Sequence, residues 1–136
     1  MRYLLDTNLI IDMVTEDYIS ADILALTTDY ENLIYVSSES VKEFIHLTRA
    51  GKVIPSKEFR TPDVFDLIEN RLGLQVKYIT KEHLRKFATL DVVEGHNDPS
   101  DRLIIAQALT ENMPVISSDT KFPKYRKMGL ELIFNE

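Results

Sequence analysis

Four carboxylates stand out by where they fall in the chain. Asp6 ends the short apolar run Arg2-Tyr3-Leu4-Leu5. Glu43 lies in the helical stretch that follows Leu33-Ile34-Tyr35-Val36. Asp101 opens a strongly apolar helix, and Asp119 follows Val115-Ile116-Ser117-Ser118. In an open α/β sheet, side chains just beyond the carboxyl ends of the strands face one ligand-collecting crevice. Carboxylates gathered there repel and raise one another's pKa unless a cation neutralises them. With no Cys and no His cluster, such an oxygen-only set suits Mg²⁺ or Mn²⁺ rather than Zn²⁺.

Each acid also has a purely structural use. Asp6 is a good N-cap for a helix starting near Leu9. Ser40-Val41-Lys42-Glu43 fits a capping box, in which Glu43 would reach back to the cap's N–H. Asp98 is the natural N-cap of the helix opened by Pro99, with Asp101 at its third position and both acids near the positive end of the helix dipole. Asp119 is a candidate turn-forming residue. Capping assigns Asp98 to stability. Asp101 differs, because Ile104, Ile105 and Ala108 follow it on one face and aim its carboxylate at the sheet, where an unpaired charge is costly.

Other polar residues rank lower. His46 and His83 have no partners at metal-ligand spacing and read as structural or exposed. His96 sits close to the helix mouth but reads as surface loop. The turn Lys121, Lys124, Arg126 and Lys127, interleaved with Phe122 and Tyr125, is either a strip that meets a phosphate backbone or a solvated charge run.

The elements that must position these side chains alternate. Arg2–Leu5, residues 33–36, 74–79, 114–117 and 130–134 read as strands. Residues 9–14, the segment capped by Ser20, the stretch carrying Val41, Phe44, Ile45 and Thr48, residues 61–73, 81–89 and 99–112 read as helices. Thr61-Pro62 has the order of a cap followed by a first-turn Pro, and Gly73 stops that helix. Such alternation predicts βαβ units and a mostly parallel sheet covered by helices on both faces. The helix from Pro99 is apolar around most of its circumference and should be buried against that sheet.

At 136 residues with no linker or repeat, residues 1–136 read as one domain with a core large enough to need no metal or disulfide staple. No apolar run approaches the ~20 residues needed to cross a bilayer, and the absence of Cys suits a reducing cytoplasm. Sixteen basic against 22 acidic residues give a net charge of −6, which argues against a passive nucleic-acid coat. An enzyme that meets phosphate through a metal ion remains allowed, because the ion supplies the missing positive charge.

Asp6-Thr7-Asn8 after the first strand, Glu43 in a helix, Asp101-Arg102-Leu103-Ile104-Ile105-Ala106 and Asp119 after the fourth strand resemble the PIN domain. His96-Asn97-Asp98-Pro99-Ser100-Asp101-Arg102-Leu103 is similar to a branch of the VapC-type toxins of toxin–antitoxin pairs. The resemblance spans essentially the whole chain. It implies a PIN-like α/β/α sandwich in which Asp6, Glu43, Asp101 and Asp119 surround Mg²⁺ or Mn²⁺. Thr7, Asn8 and Ser117 match supporting polar positions. Ser100 stands where this branch usually has Phe, and Ser117-Ser118 replaces the commoner Thr-Arg. Neither departure removes a carboxylate; both bear on substrate fit.

The resemblance implies a metal-dependent endoribonuclease, the toxin of a type II pair. It would form a homodimer and be silenced by an antitoxin whose Arg or Lys enters the acidic site. Arg102 and Lys121 are candidates to position the RNA backbone, and Leu9, Ile10 and Leu24 are candidates for the dimer surface. Alternatives are a PIN-type RNA-processing nuclease that is not a toxin, a PIN-like scaffold that only binds, and a haloacid-dehalogenase-like phosphatase with Asp6 as nucleophile. The phosphatase motif normally has a second Asp where this chain has Asn8.

Overall fold

The computed structural model describes all of residues 1–136. Five parallel strands, β1 (Arg2–Leu5), β2 (Leu33–Ser37), β3 (Gln75–Lys77), β4 (Val115–Ser117) and β5 (Leu132–Phe134), form one sheet in the order β3-β2-β1-β4-β5. The helices are α1 (Thr7–Thr15), α2 (Ala21–Thr28), α3 (Ser38–Arg49), α4 (Lys81–Thr89) and α5 (Pro99–Glu111). The period-2 geometry of a strand sends alternate residues to opposite faces. Tyr3, Leu5, Ile34, Val36 and Ile116 therefore join a core with Leu9, Ile10, Val41 and Phe44 of α1 and α3. Leu4 and Val115 face the other way, onto Ile104, Ile105 and Ala108 of α5. The sheet is thus sandwiched between helical layers, and α5 is buried as its composition predicts.

The strand order fixes where a site can form. From β1 the chain builds outward through β2 to β3, then crosses over to place β4 and β5 on the far side of β1. The carboxyl ends of β1 and β4 flank that reversal, where open α/β sheets bind ligands. Asp6 immediately follows β1, its N–H bonded to Ile116 O at 2.9 Å, and Ser117 ends β4. No helix is long and apolar enough to cross a membrane.

Several local expectations need correction. The segment expected to be one regular helix over residues 61–73 is a 3-10 turn at Thr61–Asp63, preceded by Arg60 rather than capped by Thr61, and a π-helix at Asp66–Arg71. Its widened turns carry the N–H groups of Leu72 and Leu74 onto the carbonyls of Leu67 and Ile68. Gly73, at φ +68°, does reverse the chain there. β3 ends at Lys77, short of the expected Ile79, because Ile79 N–H donates to Ser38 Oγ at 3.0 Å and Thr80 N–H to His83 Nδ1 at 3.0 Å. Leu9 and Ile10 are 0% exposed core residues, so neither can line a dimer surface, whereas Leu24 is exposed.

Candidate active site

Asp6 has two roles that the local sequence allows. As the residue before α1, its Oδ1 accepts the Thr7 N–H at 2.7 Å, and its Oδ2 accepts the Ser117 hydroxyl at 2.8 Å. The side chain is buried, and that desolvation is the main reason its carboxyl is pushed up to about 6. The two hydrogen bonds pull it down, and Asp119 and Glu43 push it up further. Ser117 also accepts the Asp119 N–H at 3.0 Å, so one hydroxyl links the acids that follow β1 and β4.

Asp101 sits in the first turn of α5 and points inward, as its place above Ile104 and Ile105 predicts. Burial pushes its carboxyl up to about 8, with added repulsion from Asp6, Asp98, Asp119 and Glu43. The four acids of the sequence-predicted quartet therefore lie in one neighbourhood, joined there by Asp98. Asp98 is the N-cap of α5, its Oδ1 accepting the N–H groups of Ser100 at 2.9 Å and Asp101 at 3.4 Å. Asp119 makes the expected turn, its Oδ1 accepting Lys121 N–H at 2.8 Å, and still faces the site.

Glu43 is half-buried on α3, its carboxyl raised chiefly by burial and then by Asp98. The capping-box alternative fails, because Ser37 caps α3 and Ser40 lies inside the helix. Buried Ser40 accepts the Thr7 hydroxyl at 2.9 Å, and Thr7 Oγ1 lies 3.3 Å from Glu43 Oε2. Thr7 and Ser117 thus both hydrogen-bond to the acids. Asn8 is exposed and makes no hydrogen bond to them.

At three residues the structure departs from the sequence reading. His96, expected in a surface loop, is 1% exposed. Its Nδ1 lies 2.6 Å from Tyr125 Oη and its Nε2 3.4 Å from Asp101 Oδ2. Burial lowers its pKa, so the imidazole is neutral at neutral pH. Phe122 and Tyr125 pack their rings on it. In the sequence, the only pointer is the alternation of these aromatics with lysines. Arg102, expected at the rim, instead stacks its guanidinium on Phe87 and donates to Leu90 O at 2.9 Å, tying α5 to the end of α4. Glu39 is a further acid near the site: its Oε1 accepts Ser100 Oγ at 2.9 Å and pairs with Lys42 at 2.6 Å. Ser100, the residue that departs from the family pattern, thus makes a polar link from α5 to α3.

The donor set fits a divalent cation. Ligand atoms of His96, Asp101 and Asp119 lie within 4.8 Å of one another. Buried Asp6 stands close enough to raise Asp101 more than any other charge does. A cation among them would remove the repulsion that now helps to hold Asp6 and Asp101 so high. Lys121 and Lys124 are both in reach of solvent just beyond Asp119, at the head of the 3-10 segment Phe122–Met128.

The profile of the PIN domain matches residues 3–128. The chain is similar in structure to VapBC2 from Rickettsia felis bound to a fragment of promoter DNA, with TM-score 0.70, 20% identity and 100% of each chain covered. VapBC-1 from nontypeable Haemophilus influenzae is similar with TM-score 0.68 and 19% identity, covering 98% of each chain. A toxin–antitoxin complex from Klebsiella pneumoniae is similar with TM-score 0.57 and 18% identity, covering 88% of each chain. No curated protein matches the chain.

Proposed function

The chain belongs to the PIN domain family, and from that premise we propose that it is a divalent-metal-dependent endoribonuclease and the toxin of a toxin–antitoxin pair. The observation that carries this reading is the meeting of Asp6, Asp101 and Asp119 beside the carboxyl ends of β1 and β4, with Asp101 pushed up to about 8 by its burial and its neighbours. Such an arrangement costs stability without a cation and becomes favourable with one.

In this reading Asp6 and Asp101 hold the main cation, and Asp119 and Glu43 complete its surroundings or serve a second ion. When bound, Mg²⁺ or Mn²⁺ supplies a lowered water pKa and neutralises charge growing on the phosphate oxygens. Ser117 and the Thr7 N–H keep Asp6 in a single orientation, so the acid does not have to reorganise as charge develops. Glu43, steadied by Thr7 and half-buried, helps to orient the water that attacks phosphorus in line. As the new O–P bond forms and the P–O3′ bond opposite breaks, the attacking water gives up a proton to solvent and O3′ takes one up, leaving a 5′-phosphate and a 3′-hydroxyl. Lys121 and its neighbours on the basic segment hold the flanking phosphates.

The toxin role draws support from the similar VapBC and toxin–antitoxin structures. An acidic groove that invites a basic side chain from an inhibitor is consistent with it. A homodimer bound to such an antitoxin is part of the proposal. Purified protein incubated with single-stranded RNA and Mg²⁺ or Mn²⁺ should cut it, and EDTA should stop the cutting. Undiminished cleavage in EDTA would refute the mechanism.

A further inference from the structure

His96 is the one imidazole at the site, and the fold holds it from several sides. It is 1% exposed in a loop between α4 and α5, fixed by its N–H on Val93 O at 3.0 Å and by ring contacts with Phe122 and Tyr125. A buried imidazole needs both nitrogens addressed. Nδ1 is met by Tyr125 Oη at 2.6 Å, which leaves Nε2 facing Asp101 and Asp119.

The Nε2 to Asp101 Oδ2 separation is 3.4 Å. A charge-assisted N–H···O⁻ bond would close to about 2.7–2.9 Å. Two neighbouring ligands on one cation, each bonded at about 2.1 Å and at right angles, stand roughly 3 Å apart. The observed gap suits the second arrangement better. It also requires only that Nδ1–H donate to Tyr125, the outer hydrogen bond that orients most metal-ligating histidines. Asp119 is similarly prepared, since Lys121 N–H engages its Oδ1 and leaves Oδ2 free.

We propose that His96 Nε2 is a direct ligand of the cation shared with Asp101 and Asp119. His96 then adds one nitrogen to the carboxylates of the site, which favours a first-row transition-metal ion over Mg²⁺, because Mg²⁺ prefers oxygen and keeps its waters. Tyr125 acts as the positioning residue that fixes the imidazole tautomer. This inference rests on the reading that Asp101 and Asp119 bind a cation.

Mn²⁺ is the probe that separates the two claims. Pulsed EPR on the whole protein with Mn²⁺ should show the nitrogen coupling of a directly bound imidazole, and that coupling should change when histidine is supplied as ¹⁵N. Asp101→Asn should abolish it, assigning it to this site and not to His46 or His83. His96→Gln should lower Mn²⁺ affinity about tenfold or more, with Mg²⁺ affinity changing much less. Mn²⁺ bound at the site without histidine coupling would overturn the assignment of His96 while leaving the cation reading intact. No Mn²⁺ binding at all would overturn both. The labelled wild-type spectrum decides the matter even if His96→Gln loosens the loop.

Discussion

Asp6 Oδ2 accepts a 2.8 Å hydrogen bond from Ser117 Oγ, joining the first and fourth strands across 111 residues of chain. The same hydroxyl accepts the Asp119 N–H at 3.0 Å. Ser117 therefore holds two of the acids in place, although it carries no charge.

Ser117→Ala should leave a buried carboxylate one donor short and a backbone N–H without its acceptor. A loss of about 1–2 kcal/mol in stability is expected, with cleavage slowed roughly tenfold as Asp6 loses its fixed orientation. Urea unfolding and RNA cleavage rates measure the two effects. An Ala variant equal to the parent in both would show that the bridge is incidental.

The raised carboxyls predict how the metal-free protein responds to pH. Asp101 is pushed up to about 8 from an ordinary 3.8, so between those values the folded protein binds a proton that the unfolded chain has released. Stability from this group is present at low pH and is lost as pH rises toward and through about 8. His83 and His96, whose pKa values burial lowers, act in the opposite sense below about 6.5. The clean window is thus about pH 6.5 to 8.5, where metal-free protein should lose on the order of 1 kcal/mol, or about 3–5 °C in Tm. Thermal melts in EDTA across that window test this. Saturating Mn²⁺ or Asp101→Asn should flatten the slope, and a slope that survives Asp101→Asn would point to another group.

The basic segment after Asp119 predicts a salt effect. Lys121→Ala with Lys127→Ala should weaken RNA binding and lower the dependence on log salt concentration by about 0.7 for each phosphate left without its cation, with Tm unchanged. Arg102→Gln is the contrast. It gives up stacking on Phe87 and the bond to Leu90 O, so it should lower Tm while leaving the salt slope as it was. Filter binding at several salt concentrations distinguishes them, and a reduced slope for Arg102→Gln would return that residue to the RNA surface.

Much of this is legible in the sequence because it depends on local pattern. Asp98-Pro99 announces a helix start, and the apolar residues after Asp101 fix the face it shares. The β-rich runs, each followed by a polar residue, imply a parallel sheet whose strand ends gather acids. The features that local pattern does not reveal depend on groups far apart in the chain. His96 is buried only because Tyr125 and Phe122 return to it from beyond β4. Ser40 has the residue type and spacing of a cap, but Ser37 starts α3 one turn earlier. Arg102 reads as a rim cation unless the end of α4 is known to lie beside it. The π-helix at Asp66–Arg71 has no signature in residue type, since Val64, Leu67 and Ile68 carry the same apolar spacing that a regular helix would.

The most direct test of the central claim sets two neighbouring acids against each other. Asp98 caps α5 and Asp101 faces the quartet. Asn caps as well as Asp, so Asp98→Asn should keep its fold and cut single-stranded RNA at close to the parental rate in Mg²⁺ or Mn²⁺. Asp101→Asn removes a charge that the cation needs, so its cleavage should fall by two or more orders of magnitude. Its metal-free Tm should be no lower than the parent's, and added metal should raise it little. An inactive Asp98→Asn beside an Asp101→Asn that still cuts would contradict the account.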